Sequence, residues 1–205
     1  MKTTILKSLA LVALTFTIGC SSDDDSTVSV PNLEGTVLQG TITSDLNIPA
    51  GNYSLKGTVT VNNGATLTIQ PGTTFTVSTV DQAAGTNYLL IEQGAKLIAN
   101  GTSTSPIVFT AQSETIGAWG GIIMNGKARI NAAGGTEIAE AGGKLYGGTD
   151  DADNSGSLKY VRVEYAGAAV TGGTAEYNAF SFFGLGTGTT LENLQAYKGA
   201  DDGFE

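Results

Sequence analysis

Leu158-Lys159-Tyr160-Val161-Arg162-Val163 is answered 33 residues later by Leu191-Glu192-Asn193-Leu194-Gln195-Ala196. In both segments apolar and polar residues alternate, the pattern of a strand with one buried face. Two further echoes lie upstream. Leu67-Thr68-Ile69-Gln70-Pro71-Gly72 resembles Leu89-Leu90-Ile91-Glu92-Gln93-Gly94 at a shift of 22, and Ile91 to Ile98 resembles Ile123 to Ile130 at a shift of 32. Repetition above 20 residues with variable insertions is the mark of a stacked solenoid, in which each coil adds one rung and loops swell at the corners.

Between the repeats the chain reads as short β-rich runs, such as TVTV at 58–61, TLTI at 66–69, TFTV at 74–77, YLLI at 88–91 and PIVF at 106–109. Each is rich in Thr, Val, Ile or Leu and bounded by Gly, Asn or Pro. No segment sustains a helical period. The pattern predicts an all-β parallel β-helix with equivalent side chains of successive coils stacked about 4.8 Å apart. Ile69, Ile91 and Ile123 are expected in one inward ladder and Val161 with Leu194 in another. Gly72, Gly94 and Gly126 are expected at corners, where a positive φ or close backbone approach excludes a Cβ. A β-sandwich also has many short strands but does not require I-x-x-G at coil spacing.

Composition narrows the chemistry. The 205 residues carry 10 basic and 19 acidic side chains, a net charge of −9, which argues against nucleic acid as a partner. With no histidine, Ser-His-Asp and Cys-His catalysis are excluded, and a single cysteine cannot form an internal disulfide. Glycine, at 29 residues, has about twice its ordinary share, as a chain of tight corners demands.

The N-terminus gives an address. Lys2 and Lys7 precede a mainly apolar stretch from Leu9 to Ile18 that closes on Gly19-Cys20, the layout of a secretory leader. That stretch is too short to span a bilayer, and no later segment is longer, so no transmembrane helix is expected. The Gly19-Cys20 junction resembles the lipobox of bacterial lipoproteins, which implies cleavage before Cys20 and lipid on its sulfur and new amino group. Ser21-Ser22-Asp23-Asp24-Asp25 is a solvated tether and resembles the acidic signal that takes Bacteroidota lipoproteins to the cell surface. The expected organisation is a leader at 1–19, a tether at 20–34 and a β-helix at 35–205.

Three groups of residues carry candidate chemistry. Asp151, Asp153 and Ser155 follow D-x-D-x-S-G, the opening half of a calcium loop, although Arg162 stands where the closing carboxylate belongs. The same residues also suit a plain acidic turn. Asp201, Asp202 and Glu205 offer carboxylates for general acid–base work or calcium. Adjacent Asp201 and Asp202 on a strand would point to opposite faces, so they do not by themselves form a catalytic pair. The third group is the outward face of the last two coils, where the repeat stacks Tyr160 over Asn193, Arg162 over Gln195 and Glu164 over Tyr197. Aromatic rings, an amide and a charged pair at rung spacing suit an extended polysaccharide. Trp119 reads as packing, and Gly184-x-Gly186-x-Gly188 is not a nucleotide loop, because Thr189-Thr190-Leu191 begins a strand rather than a helix.

The stretches Trp119-Gly-Gly, Tyr146-Gly-Gly, Asp153-Asn-Ser-Gly156, Leu158 to Gly167 and Gly199-Ala-Asp-Asp-Gly203-Phe-Glu205 together resemble Bacteroidota surface lipoproteins built on the right-handed parallel β-helix of pectin lyase type. The resemblance covers most of the chain beyond about residue 55. It implies a shape and a place on the outer membrane facing the exterior rather than an activity. Similar chains run past the Asp-Asp-Gly-Phe-Glu stretch, which implies that this sequence is part of a longer β-helix. The reading leans to a lipid-anchored binding or structural module with glycan as its partner. A calcium-dependent polysaccharide lyase or glycoside hydrolase is the alternative, and an adhesin-like spacer the third possibility.

Overall fold

The computed structural model describes residues 33–79, 84–169 and 176–205. Cys20, the leader and all of the tether but its last two residues lie outside them. Strands of the described residues stack as parallel rungs on three faces, and the chain visits the faces in turn. The first face is built from residues 40–42 and 58–61, then Tyr88–Ile91, Ile122–Asn125 and Phe180–Phe183. The second carries Leu46–Ile48, Thr66–Ile69, Lys96–Asn100, Gly156–Lys159 and Thr190–Glu192. The third carries residues 37–39 and 52–55, then Thr74–Val77, Ile107–Ala111, Val161–Glu164 and Gln195–Tyr197. The protein is a parallel β-helix, as the repeats predict. No helix among the described residues is long and apolar enough to cross a membrane.

Alternation does what it should in the early coils. In Thr66–Ile69 and Thr74–Val77 the threonines face out half-exposed, while Leu67, Ile69, Phe75 and Val77 are buried. Interior columns follow from the pairing. Ile48, Ile69, Ala99, Leu158 and Leu191 stack on the second face, and Val59, Leu89, Ile122 and Phe180 on the first. On the third face Tyr53, Phe75 and Phe109 form an aromatic column, with the Phe75 and Phe109 rings stacked 5.0 Å apart at 11°. Trp119 extends it, its ring 6.3 Å from Phe109 and its Nε1–H donating to Glu164 O at 2.8 Å, so it is packing, as expected.

The predicted ladder of Ile69, Ile91 and Ile123 is corrected. Ile69 belongs to the second face and Ile91 to the first, where it pairs with Val61 and Met124. Ile123 pairs with Leu90 and Ser181 and points outward. It is nonetheless fully buried, because Ala141, Ala168 and Tyr177 close over it in a small second core outside the first face. The motif I-x-x-G marks a strand running into a corner, and all three faces have corners. Matching the motif therefore aligned different faces at a shift of 22 and slipped one residue from the true register at 32. The 33-residue shift is the real one: Leu158 pairs with Leu191, Arg162 with Gln195 and Glu164 with Tyr197. Gly72 and Gly94 take corners with φ of 80° and 79°. Gly126 is demanded by proximity instead, since a Cβ there would lie 2.3 Å from Gly184 O.

The longest excursion, between Asn125 and Gly156, folds back as an antiparallel hairpin of Thr136–Ile138 with Leu145–Gly147. Gln93 pins it by donating from Nε2 to the carbonyls of Gly126 and Gly147, both at 2.7 Å. Lys144 adds an ion pair to Glu92 at 2.8 Å.

Candidate functional site

The corner between the second and third faces changes shape along the solenoid. In the rung of Lys96–Asn100 it is a loop, residues 101–106, before the chain re-enters at Ile107. In the next two rungs a single residue suffices: Tyr160 links Lys159 to Val161, and Asn193 lies in the equivalent turn. So short a link needs a left-handed residue, and Tyr160 and Asn193 have φ of 47° and 54°. At the far end of the third face Tyr165 and Lys198 repeat the device at 59° and 52°. Glycine would take this conformation at lower cost, since it lacks the Cβ clash. Tyr160 and Asn193 are exposed at their corner, whereas Tyr165 packs into the core.

The long loop beside the tight corners makes a wall beside a floor. Thr102, Ser103 and Pro106 rise over Tyr160, Arg162, Asn193 and Gln195 to enclose a groove of about 220 Å³. The backbone is tightly set here. Tyr160 N–H donates to Glu192 O at 3.1 Å, Ile107 N–H donates to Tyr160 O at 3.0 Å, and a Cβ on Gly101 would lie 2.8 Å from Tyr160 O.

Beside the groove, Arg162 Nε forms an ion pair with Glu164 Oε1 at 2.6 Å, and its guanidinium lies 4.8 Å from the centre of the Tyr197 ring. Glu164 also accepts from Thr110 Oγ1 at 2.7 Å. Lys198 Nζ sits 5.5 Å and 5.3 Å from the Tyr165 and Tyr197 rings, and Lys159 is paired to Glu192 at 3.0 Å. All six residues singled out in the sequence, Tyr160, Arg162, Glu164, Asn193, Gln195 and Tyr197, thus lie on one side of the solenoid. Tyr160 and Asn193 stand at its corner rather than in mid-face. Sequence reasoning missed Tyr165 and Lys198, which the same 33-residue shift superposes, and it missed the wall. Only the mismatch in loop length between successive coils could have signalled that wall.

The acidic loop at 150–155 is held by hydrogen bonds within itself and to neighbouring segments. Asp151 is held by the Arg129 guanidinium, which keeps its carboxyl below the usual range. Asp153 is buried and accepts from Ser155 Oγ at 2.9 Å. Among the described residues no three acidic, histidine or cysteine side chains gather so as to hold a metal ion. The segment around Gly186 and Gly188 lies directly on this loop, whereas Gly184 lies against Gly147 and Ile130. Thr187 N–H donates to Asp151 O at 2.9 Å, and a Cβ on Gly186 would come within 2.4 Å of Asp153 N. That close approach is the reason for the glycines.

Asp201 and Asp202 lie in a turn rather than on a strand, which corrects the opposite-faces expectation. Asp201 shares a hydrogen bond with the carboxyl of Glu176, and this, with the neighbouring charges, raises the Glu176 pKa. Partial burial and the Glu140 charge raise that of Glu205, whose Oε2 accepts from Asn178 Nδ2 at 2.8 Å. Glu176 and Asp201 edge a cleft of about 350 Å³ with Ile116, Ala169 and Ala200. A glycosidase needs its two carboxyls roughly 5 to 9 Å apart, with a sugar bond between them. Glu176 and Asp201 instead touch. Arg162, the base a lyase reading would enlist, is engaged with Glu164 on the third face.

The cluster makes a pH prediction. A carboxyl whose folded pKa is raised adds stability that is complete below its unfolded value, about 4.3 for Glu, and lost as pH climbs through the folded value. The melting temperature is therefore expected to rise as pH falls from 7 towards about 4.5. Below roughly 3.9, the unfolded value for Asp, the opposite contribution from Asp151 is lost as its ion pair with Arg129 protonates. The double variant Glu176→Gln, Glu205→Gln should flatten the rise. An unchanged rise in that variant would assign it to general charge repulsion instead.

Three stacked parallel faces with variable corners define the class, a parallel β-helix carrying its surface chemistry on loops and rungs. Within that class the chain belongs to the family of pectate-lyase-like β-helix domains, which residues 40–205 match. Comparison with curated proteins and with solved structures finds no match.

Proposed function

We propose that the protein is a carbohydrate-binding β-helix module, tethered to the outer membrane of a bacterium by lipid on Cys20 and facing outward. What carries the binding reading is the third face of the last two rungs. There, left-handed Tyr160 and Asn193 line a groove floored by Arg162 and Gln195. Strained non-glycine residues cluster where side chains are needed for recognition, and here they bracket a surface of rings, amides and hydroxyls. Sugar rings stack their apolar faces on tyrosine, while their hydroxyls exchange hydrogen bonds with amides and alcohols.

The test is retention on immobilised glycans. Replacing Tyr160 by alanine should weaken binding several-fold, taking roughly 0.5–1.5 kcal/mol for the ring contact. Tyr160 is more than a third exposed, so the melting temperature should barely move. Equal retention by the variant and the parent would end the reading.

A further inference from the structure

We infer that the groove takes a neutral glycan rather than a polyuronate. This rests on the carbohydrate-binding reading and goes further by fixing the charge of the ligand. Pectate, which gives the family its description, is a polyanion, and a site for it needs cations free to meet carboxylates. The cations on and near this groove lie against carboxylates or rings of the protein itself. Arg162 is paired with Glu164 and covers Tyr197, Lys159 is paired with Glu192, and Lys198 lies against the Tyr165 and Tyr197 rings. Glu164 is itself fixed by Thr110, so turning Arg162 away from it would leave a largely buried carboxylate uncompensated.

What the groove does present is neutral. Thr102 and Ser103 offer hydroxyls from the wall, Asn193 and Gln195 offer amides from the floor, and Tyr160 offers a ring at the corner. Amides and alcohols both donate and accept, which matches sugar hydroxyls and gives no preference to carboxylates. The surroundings act in the same direction. The chain carries −9 overall, and the carboxylate cluster around Glu176 and Asp201 lies just past the Lys198 corner. A polyanion would approach against that field.

Isothermal titration with neutral hexose oligosaccharides and with oligogalacturonides of equal length, each at 20 and 200 mM NaCl, tests the inference. Neutral chains should bind at least tenfold more tightly, with an affinity that salt leaves unchanged, and Gln195→Ala should weaken them while the fold is retained. Tighter oligogalacturonide binding that falls with salt and is lost in Lys198→Ala would overturn the inference and leave the carbohydrate-binding reading standing. Failure of both ligand classes to bind, across a panel of linkages, would overturn both.

Discussion

Replacing Gly156 by alanine is expected to lower stability by about 4 kcal/mol or more and the melting temperature by roughly 10 °C. The residue opens the second-face strand after the chain's longest excursion, with φ at 120°. A Cβ there would sit 2.1 Å from Leu97 O and 2.8 Å from Leu97 N. Those atoms are the backbone of the adjacent rung, held in place when Leu97 N–H donates to Ser155 O at 3.0 Å, so they cannot swing aside as a side chain would. Two rungs would have to part. Gly134→Ala is the control, since φ there is 92° but nothing lies within 4 Å. It should cost only the conformational penalty, about 1–2 kcal/mol. Urea unfolding of the two variants separates the effects, and similar midpoints would refute the steric account.

Cys20→Ser is expected to move the protein from the membrane fraction to the soluble fraction almost completely. The proposed anchor is several acyl chains, each holding by about 0.8 kcal/mol per buried methylene, whereas a serine offers no sulfur to acylate. Fractionation with mass measurement of the mature N-terminus checks this. A variant that stays on the membrane after a high-salt wash, or a mature parent chain with an unmodified cysteine, would remove lipid from the account.

The fold was legible because burial in a β-helix repeats in sequence. Leu158 to Val163 and Leu191 to Ala196 sit in the same register on the same faces, and in the first the alternation reports inside and outside, with Leu158, Val161 and Val163 buried. Legibility failed where an outward position is buried by something distant in the chain. Ile123 looks like an interior residue because it is interior, but to the second core under Ala141 and Tyr177, which no local pattern announces. The candidate groove was half legible. Its floor comes from the repeat, whereas its wall at Thr102 and Ser103 comes from a loop that breaks it. The acidic loop at 150–155 was partly legible. D-x-D-x-S-G suits a cation and suits an acidic turn equally well in sequence, and the stacking of Gly186 and Gly188 on it comes from the next coil. Likewise the partners of Asp201 and Glu205, namely Glu176 and Glu140, lie in other turns of the solenoid.

The six-residue loop at 101–106 stands beside corners that a single residue turns, and it leaves the interior columns undisturbed. Insertions and deletions at that one edge can therefore remodel what is recognised without renegotiating the hydrophobic stack, because the hydrogen-bonded ladder starts again at Ile107 whatever precedes it. Selection is free to treat the corner as an exchangeable part, so descendants of one scaffold can diverge in the surface they present while remaining superposable rung by rung.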